Sequence, residues 1–97
     1  MFNILVVDDE RIAVNGIKKR LQLYQYPLRI YEAYDGEEAK QILERIRIHI
    51  LMTDIELPLI NGLDLIEIAK EKYPDIKTLV FSAYSNFEYA RKAISLN

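Results

Sequence analysis

Cysteine is absent from the 97 residues, which excludes disulfides, thiolate metal sites and cysteine nucleophiles. Basic charge is not in excess either. Thirteen Lys and Arg stand against 15 Asp and Glu, a formal net charge of −2, so this segment lacks the footprint of direct nucleic-acid binding. The only histidine, His49, opens a strand without a partner cluster, so it reads as structural and no acid–base dyad can be built on it. Glycine is scarce, at three residues, and no Gly-rich phosphate loop follows any strand, which argues against a nucleotide-binding module. No stretch approaches the ~18 apolar residues of a membrane span. The apolar run near the N-terminus, Ile4 to Val7, is too short and lacks the basic flank of a signal peptide. The expectation is a cytoplasmic protein that does not use the membrane. Without a linker, repeat or low-complexity tract, residues 1–97 read as one domain.

What is present is enough apolar material for a core: 51% of the residues are hydrophobic. Ile4, Leu5, Val6 and Val7 form a continuous β-branched run stopped by Asp8-Asp9, the pattern of a strand buried on both faces. The period then becomes helical, with Ile12, Ala13, Ile17, Leu21 and Tyr24 as the apolar stripe and Pro27 closing the element. Leu28 to Ala33 reads as a second strand, and Asp35-Gly36 as a turn in which Asp35 can cap a helix striped by Ala39, Ile42, Leu43 and Ile46. His49 to Thr53 is a third strand ending at Asp54. Leu63, Leu65, Ile66, Ile68 and Ala69 mark a third helix, Ile76 to Phe81 a fourth strand, and Phe87 to Leu96 a fourth helix. Four β-α units in succession require parallel strands with right-handed crossovers and helices on both faces. The fold class is therefore α/β, an open, doubly wound parallel sheet.

In such sheets the chemistry sits beyond the carboxyl ends of the strands. The first strand ends in Asp8-Asp9, the third in Asp54 and the fourth in Ser82-Ala83. If the first and third strands are neighbours, three carboxylates converge and raise one another's pKa. A divalent cation relieves that repulsion, and an all-oxygen site suits Mg²⁺. One carboxylate is then placed to act as a nucleophile toward phosphorus, with Ser82 able to donate a hydrogen bond to a phosphoryl oxygen.

These residues also resemble a known family, the receiver domains of two-component response regulators, over essentially the whole chain. The resemblance rests on VVDDE after the first strand, Asp35-Gly36-Glu37-Glu38-Ala39 at the second helix, TDIELPLINGLDL with Asp54, Pro58 and Gly62 in the family's spacing, and FSA after the fourth strand. It implies a flavodoxin-like strand order of 2-1-3-4, with the family's fifth strand and helix lacking a counterpart, so that the piece reads as a receiver truncated at its C-terminus. By the same resemblance Asp54 is the phosphorylation site, a phosphoryl acceptor rather than an enzyme. Asp8 and Asp9 correspond to the acidic pair that holds Mg²⁺, with the Glu56 backbone carbonyl as a further ligand. Ser82 corresponds to the switch hydroxyl and Ala83 to the small residue beside it. The implied partners are a sensor histidine kinase and an output domain in the parent chain. The stretch SAYSNFEYARKAISLN is similar to receivers that precede AraC-type DNA-binding domains, which implies transcriptional output through the fourth helix. The family's lysine after the fifth strand has no counterpart, and an exposed, apolar fourth strand is expected to favour self-association.

Plainer readings stand beside these. Asp8 and Asp9 alone make an ordinary strand-to-helix turn, Ser82 alone a turn residue, and Glu56 an exposed acid. The tyrosines at 24, 26, 31, 34, 84 and 89 read as rings sealing core margins. A haloacid-dehalogenase-type phosphatase pattern places a second Asp two residues after an early nucleophile, whereas Asp54-Ile55-Glu56 is late and carries Glu. An interaction module without phosphorylation remains a third class, and it would have no reason to bind Mg²⁺.

Overall fold

The structure, a computed structural model, describes residues 1–81. Within them the chain alternates strand and helix as β1 (Phe2–Val7), α1 (Arg11–Leu21), β2 (Leu28–Ala33), α2 (Gly36–Arg45), β3 (Ile50–Asp54), α3 (Gly62–Lys72) and β4 (Lys77–Phe81). The four strands form one sheet in the order β2-β1-β3-β4, and every neighbouring pair is parallel. This is the doubly wound topology and strand order that the sequence led us to expect. The fourth helix, Ser82 and Ala83 fall outside the described residues.

Alternation along β1 creates two cores from one strand. Leu5 and Val7 face α2 and α3, joining Leu51, Ala39, Leu43, Leu65, Ile66 and Ala69. Ile4 and Val6 face the opposite way, onto Val14 of α1 with Ile17, Leu21 and Met52 around them. Ile4 to Val7 are all at most 2% exposed, as a strand covered on both faces requires.

The helices start where local chemistry allows. Asp35 caps α2, its carboxylate accepting the Glu38 amide at 2.7 Å. Asn61 and Asp64 form a reciprocal capping box at α3, with Asn61 Oδ1 accepting from the Asp64 amide at 2.9 Å. At the other end of the bundle the Tyr73 hydroxyl donates to the Leu43 carbonyl at 3.0 Å, tying α3 to α2.

Three expectations need correction. The buried stripe of α1 runs through Val14, Ile17 and Leu21, while Ile12 is 87% exposed and Tyr24 lies beyond the helix end. Spacing gave the period, but Ile12 sits about 200° around the helix from Val14 and misses the sheet. Tyr24 and Tyr26 seal nothing, since both are exposed in the connection to β2, whereas Tyr31 does pack on the core and Arg11 covers the Tyr34 ring at 4.0 Å. His49 precedes β3 rather than opening it. Its Nδ1 accepts the Asn3 amide and its own amide donates to the Asn3 carbonyl, both at 2.9 Å, which is the structural role expected of it.

Candidate functional site

Because β1 and β3 are adjacent, with Val7 opposite Thr53, the residues that follow them come out side by side at the carboxyl edge of the sheet. One carboxylate oxygen from each of Asp8, Asp9 and Asp54 lies within 4.8 Å of the others. Asp8 is buried, Asp54 partly so and Asp9 exposed, so the cluster opens outward from a covered floor.

Backbone amides fix the two inner acids. Asp8 Oδ1 accepts the Glu10 amide at 3.0 Å, and Asp54 Oδ1 accepts the Glu56 amide at 3.4 Å. The amide of Asp8 donates to Ala33 and that of Ile55 to Phe81, both at 3.2 Å, so the ladders on either side hold the strand ends in place. Thr53, fully buried, donates its hydroxyl to the Asp54 carbonyl at 2.9 Å.

Gly62 closes the loop behind the acceptor. Its amide donates to the Ile55 carbonyl at 2.8 Å, and a Cβ there would overlap the Asp54 carbonyl oxygen and stand 2.9 Å from the Ile55 Cα. Only a glycine permits that approach.

The electrostatics follow from crowding like charges at a half-covered edge. Burial pushes the Asp8 carboxyl up to about 6, helped by the charges of Asp54 and Asp9 and opposed by the Glu10 amide. Burial likewise raises Asp54, with Asp9 and Glu56 adding to it and the amides of Glu56 and Ile55 pulling the other way. Among the described residues neither ion pair involves these three acids; the pairs are Lys18–Glu32 and Arg47–Asp75. Three carboxylates with no protein counter-charge are a hard, all-oxygen donor set, and they fit a small divalent cation.

The structure thus brings together Asp8, Asp9 and Asp54. Glu56 is exposed, as expected, and contributes its amide to Asp54. Thr53 and the close approach of Gly62 were not foreseen. Thr53 resembles any β-branched strand residue, and Gly62 had been read only as loop punctuation. The spacing of Gly62 after Asp54 was the one available signal for its role.

The fold and the acid cluster define a phosphoacceptor-type receiver architecture, and comparison with known proteins agrees. The description "Response regulator receiver domain" matches residues 4–97, so the chain belongs to the response regulator receiver family. It is 35% identical over 96 residues to the transcriptional regulatory protein HptR of Staphylococcus aureus, covering 97% of this chain and 37% of that protein. An uncharacterized response regulatory protein of Staphylococcus epidermidis is 35% identical over 95 residues, with the same coverage of 97% and 37%. The chain therefore spans little more than a third of the curated relatives it matches. Among solved structures, a two component transcriptional regulator AraC from Clostridium phytofermentans superposes with a TM-score of 0.84 at 30% identity, over 96% of this chain and 73% of that one. Among the described residues no helix is long and apolar enough to cross a membrane.

Proposed function

We propose that Asp54 accepts a phosphoryl group from a phosphohistidine of a sensor kinase, and that this chain is the receiving module of a transcriptional response regulator. The observation that carries the reading is the convergence of the Asp8, Asp9 and Asp54 carboxylates within 4.8 Å. Asp8, Asp9, Asp54 and the Glu56 carbonyl would hold Mg²⁺, which supplies positive charge against the phosphoryl oxygens when bound. Asp54 is the nucleophile. Its free carboxylate oxygen forms a bond to phosphorus as the phosphorus–nitrogen bond to the donor imidazole breaks, and the departing imidazole keeps the electron pair and takes a proton.

The surrounding residues position that attack. The Glu56 amide holds one Asp54 oxygen and leaves the other to react. Because attack needs the ionised acid, burial of Asp54 slows it at low pH and the amides of Glu56 and Ile55 offset part of that. Ser82 supplies the hydroxyl that follows the phosphoryl group, and Ala83 leaves room for it. The chain is modified once per cycle, so it is an acceptor rather than an enzyme. Its output passes through the fourth helix to a DNA-binding domain of the AraC type in the cytoplasm. Self-association through β4 is supported by Leu79, 56% exposed on a strand at the sheet edge of the described residues. A sedimentation coefficient independent of concentration would count against that part.

The test is phosphorylation by acetyl phosphate with Mg²⁺, read as a mass increase of one phosphoryl group, beside Asp54→Ala. Modification of the wild type alone supports the reading. An equal mass increase in Asp54→Ala, or no Mg²⁺ binding by the wild type, would overturn it.

A further inference from the structure

Leu59 is the one described non-glycine residue with positive φ, at 66°, and it is 100% exposed. The left-handed region disfavours a leucine, and a bare isobutyl group in water gains nothing from burial. Its neighbours in the β3–α3 connection behave otherwise. Ile55 and Leu57 are buried, and Ile60 packs on the core with its backbone and side chain against Gly36. The left-handed turn at residue 59 sends Ile60 inward and leaves Leu59 outward. A glycine or asparagine would make the same turn with less strain and no exposed apolar surface.

The place of Leu59 gives that exposure a meaning. Its loop leaves from Asp54 and returns through Gly62 onto the backbone of Asp54 and Ile55. From the adjoining β1–α1 connection, after Asp8, Asp9 and Glu10, comes a second bare aliphatic side chain, Ile12, 87% exposed. Exposed acids, Asp9, Glu10 and Glu56, lie between them in sequence and in the site. Any macromolecule that delivers a group to Asp54 must cover this rim.

We infer that Leu59, with Ile12, is a docking contact for a protein phosphodonor that presents an apolar patch edged by lysine or arginine. Leu59 has no part in the chemistry and sets which donors reach Asp54. This rests on the phosphoacceptor reading above. It predicts that transfer from a protein depends on Leu59, whereas transfer from a small molecule does not.

The experiment uses the full chain and two variants. Leu59→Asn suits positive φ but is polar, and Leu59→Met stays apolar under the same backbone conformation. The protein donor is whichever of a panel of purified, autophosphorylated histidine kinases modifies the wild type fastest, and the small donor is acetyl phosphate. For Leu59→Asn the expected result is a roughly tenfold rise in the kinase concentration at half-maximal rate. Its acetyl phosphate rate should be unchanged and its urea midpoint equal or higher. Leu59→Met should stay within about twofold of wild type with the kinase, since an apolar contact tolerates that exchange. Unimpaired kinase transfer to Leu59→Asn would overturn the inference, as would an equal loss with both donors or a panel in which no kinase transfers at all. Failure of acetyl phosphate on the wild type would instead sink the acceptor reading itself, so the two failures are distinct.

Discussion

Replacing Gly62 by alanine sets a methyl group against the backbone of the acceptor residue. The new Cβ would overlap the Asp54 carbonyl oxygen and lie 2.9 Å from the Ile55 Cα and 3.0 Å from the Asp54 carbonyl carbon, where ordinary contact begins at 3.4 Å. None of those atoms is the tip of a flexible side chain, so the loop or the strand end must move. Overpacking of this kind costs ~1–3 kcal/mol. Stretching the Gly62 to Ile55 hydrogen bond costs a further ~0.5–1.5 kcal/mol. Alanine recovers up to ~1 kcal/mol through its helix propensity at the start of α3. The expected net loss is about 2–3 kcal/mol, with urea unfolding as the assay. At a slope of ~1 kcal/mol/M, the midpoint should fall by roughly 2–3 M. Gly16→Ala is the control, because a Cβ there meets nothing within 4 Å and the residue lies inside α1. It should gain ~0.5–1 kcal/mol from the same substitution. Mg²⁺ affinity, measured by calorimetry, should drop only in the Gly62 variant, since only there is Asp54 displaced. A Gly62→Ala protein as stable as the wild type would refute the packing argument.

Asp8 gives a pH prediction whose sign can be worked out. A folded-state value of about 6 against the ordinary 3.8 means that the native protein binds more protons between those limits. Stability of the metal-free protein therefore falls as pH rises through that window, by at most about 3 kcal/mol from this group. Urea midpoints at pH 4.5 and 7.5 should show that fall relative to Asp8→Asn, and saturating Mg²⁺ should abolish the difference; a fall of equal size in Asp8→Asn would reject the assignment. Leu43→Ala, removing a fully buried side chain between α2 and the sheet, should cost ~2–5 kcal/mol in thermal or urea unfolding. Asn61→Ala breaks the α3 capping box and should cost ~0.5–2 kcal/mol, with Asp35→Ala doing the same for α2.

The sheet was legible because its strands carry unusually plain signals. Ile4 to Val7 is apolar without interruption since both faces of β1 are covered, and Asp8, Asp9 and Asp54 stand where such runs stop. Parallel connection then leaves few arrangements, so three acids distant in sequence could be placed at one edge. What could not be read was phase and approach. The apolar residues of α1 occupy more than one face, and only contact with Ile4 and Val6 shows that Val14 is the buried one and Ile12 is not. Gly62 has no side chain to announce how closely it passes Asp54, and Thr53 spends its hydroxyl on a neighbouring carbonyl, a choice invisible in a strand pattern. Asp35 was the easier case, because a cap acts within its own turn.

The contacts around His49 lie at the opposite end of the sheet from the acids, yet they set the dimensions of the acid cluster. Asn3 and His49 exchange two hydrogen bonds, the Asn3 side chain holds the Arg47 carbonyl at 2.8 Å, and the Lys77 amide binds the His49 carbonyl at 3.0 Å. Together they peg β1, β3 and β4 at a common starting line. A slip of β3 along β1 that preserved which side chains face inward would have to cover two residues, about 6.6 Å. That is more than the 4.8 Å within which the three carboxylates meet. The strands act as rulers of fixed length, and the spacing of the acids at one end is measured out from the zero mark at the other.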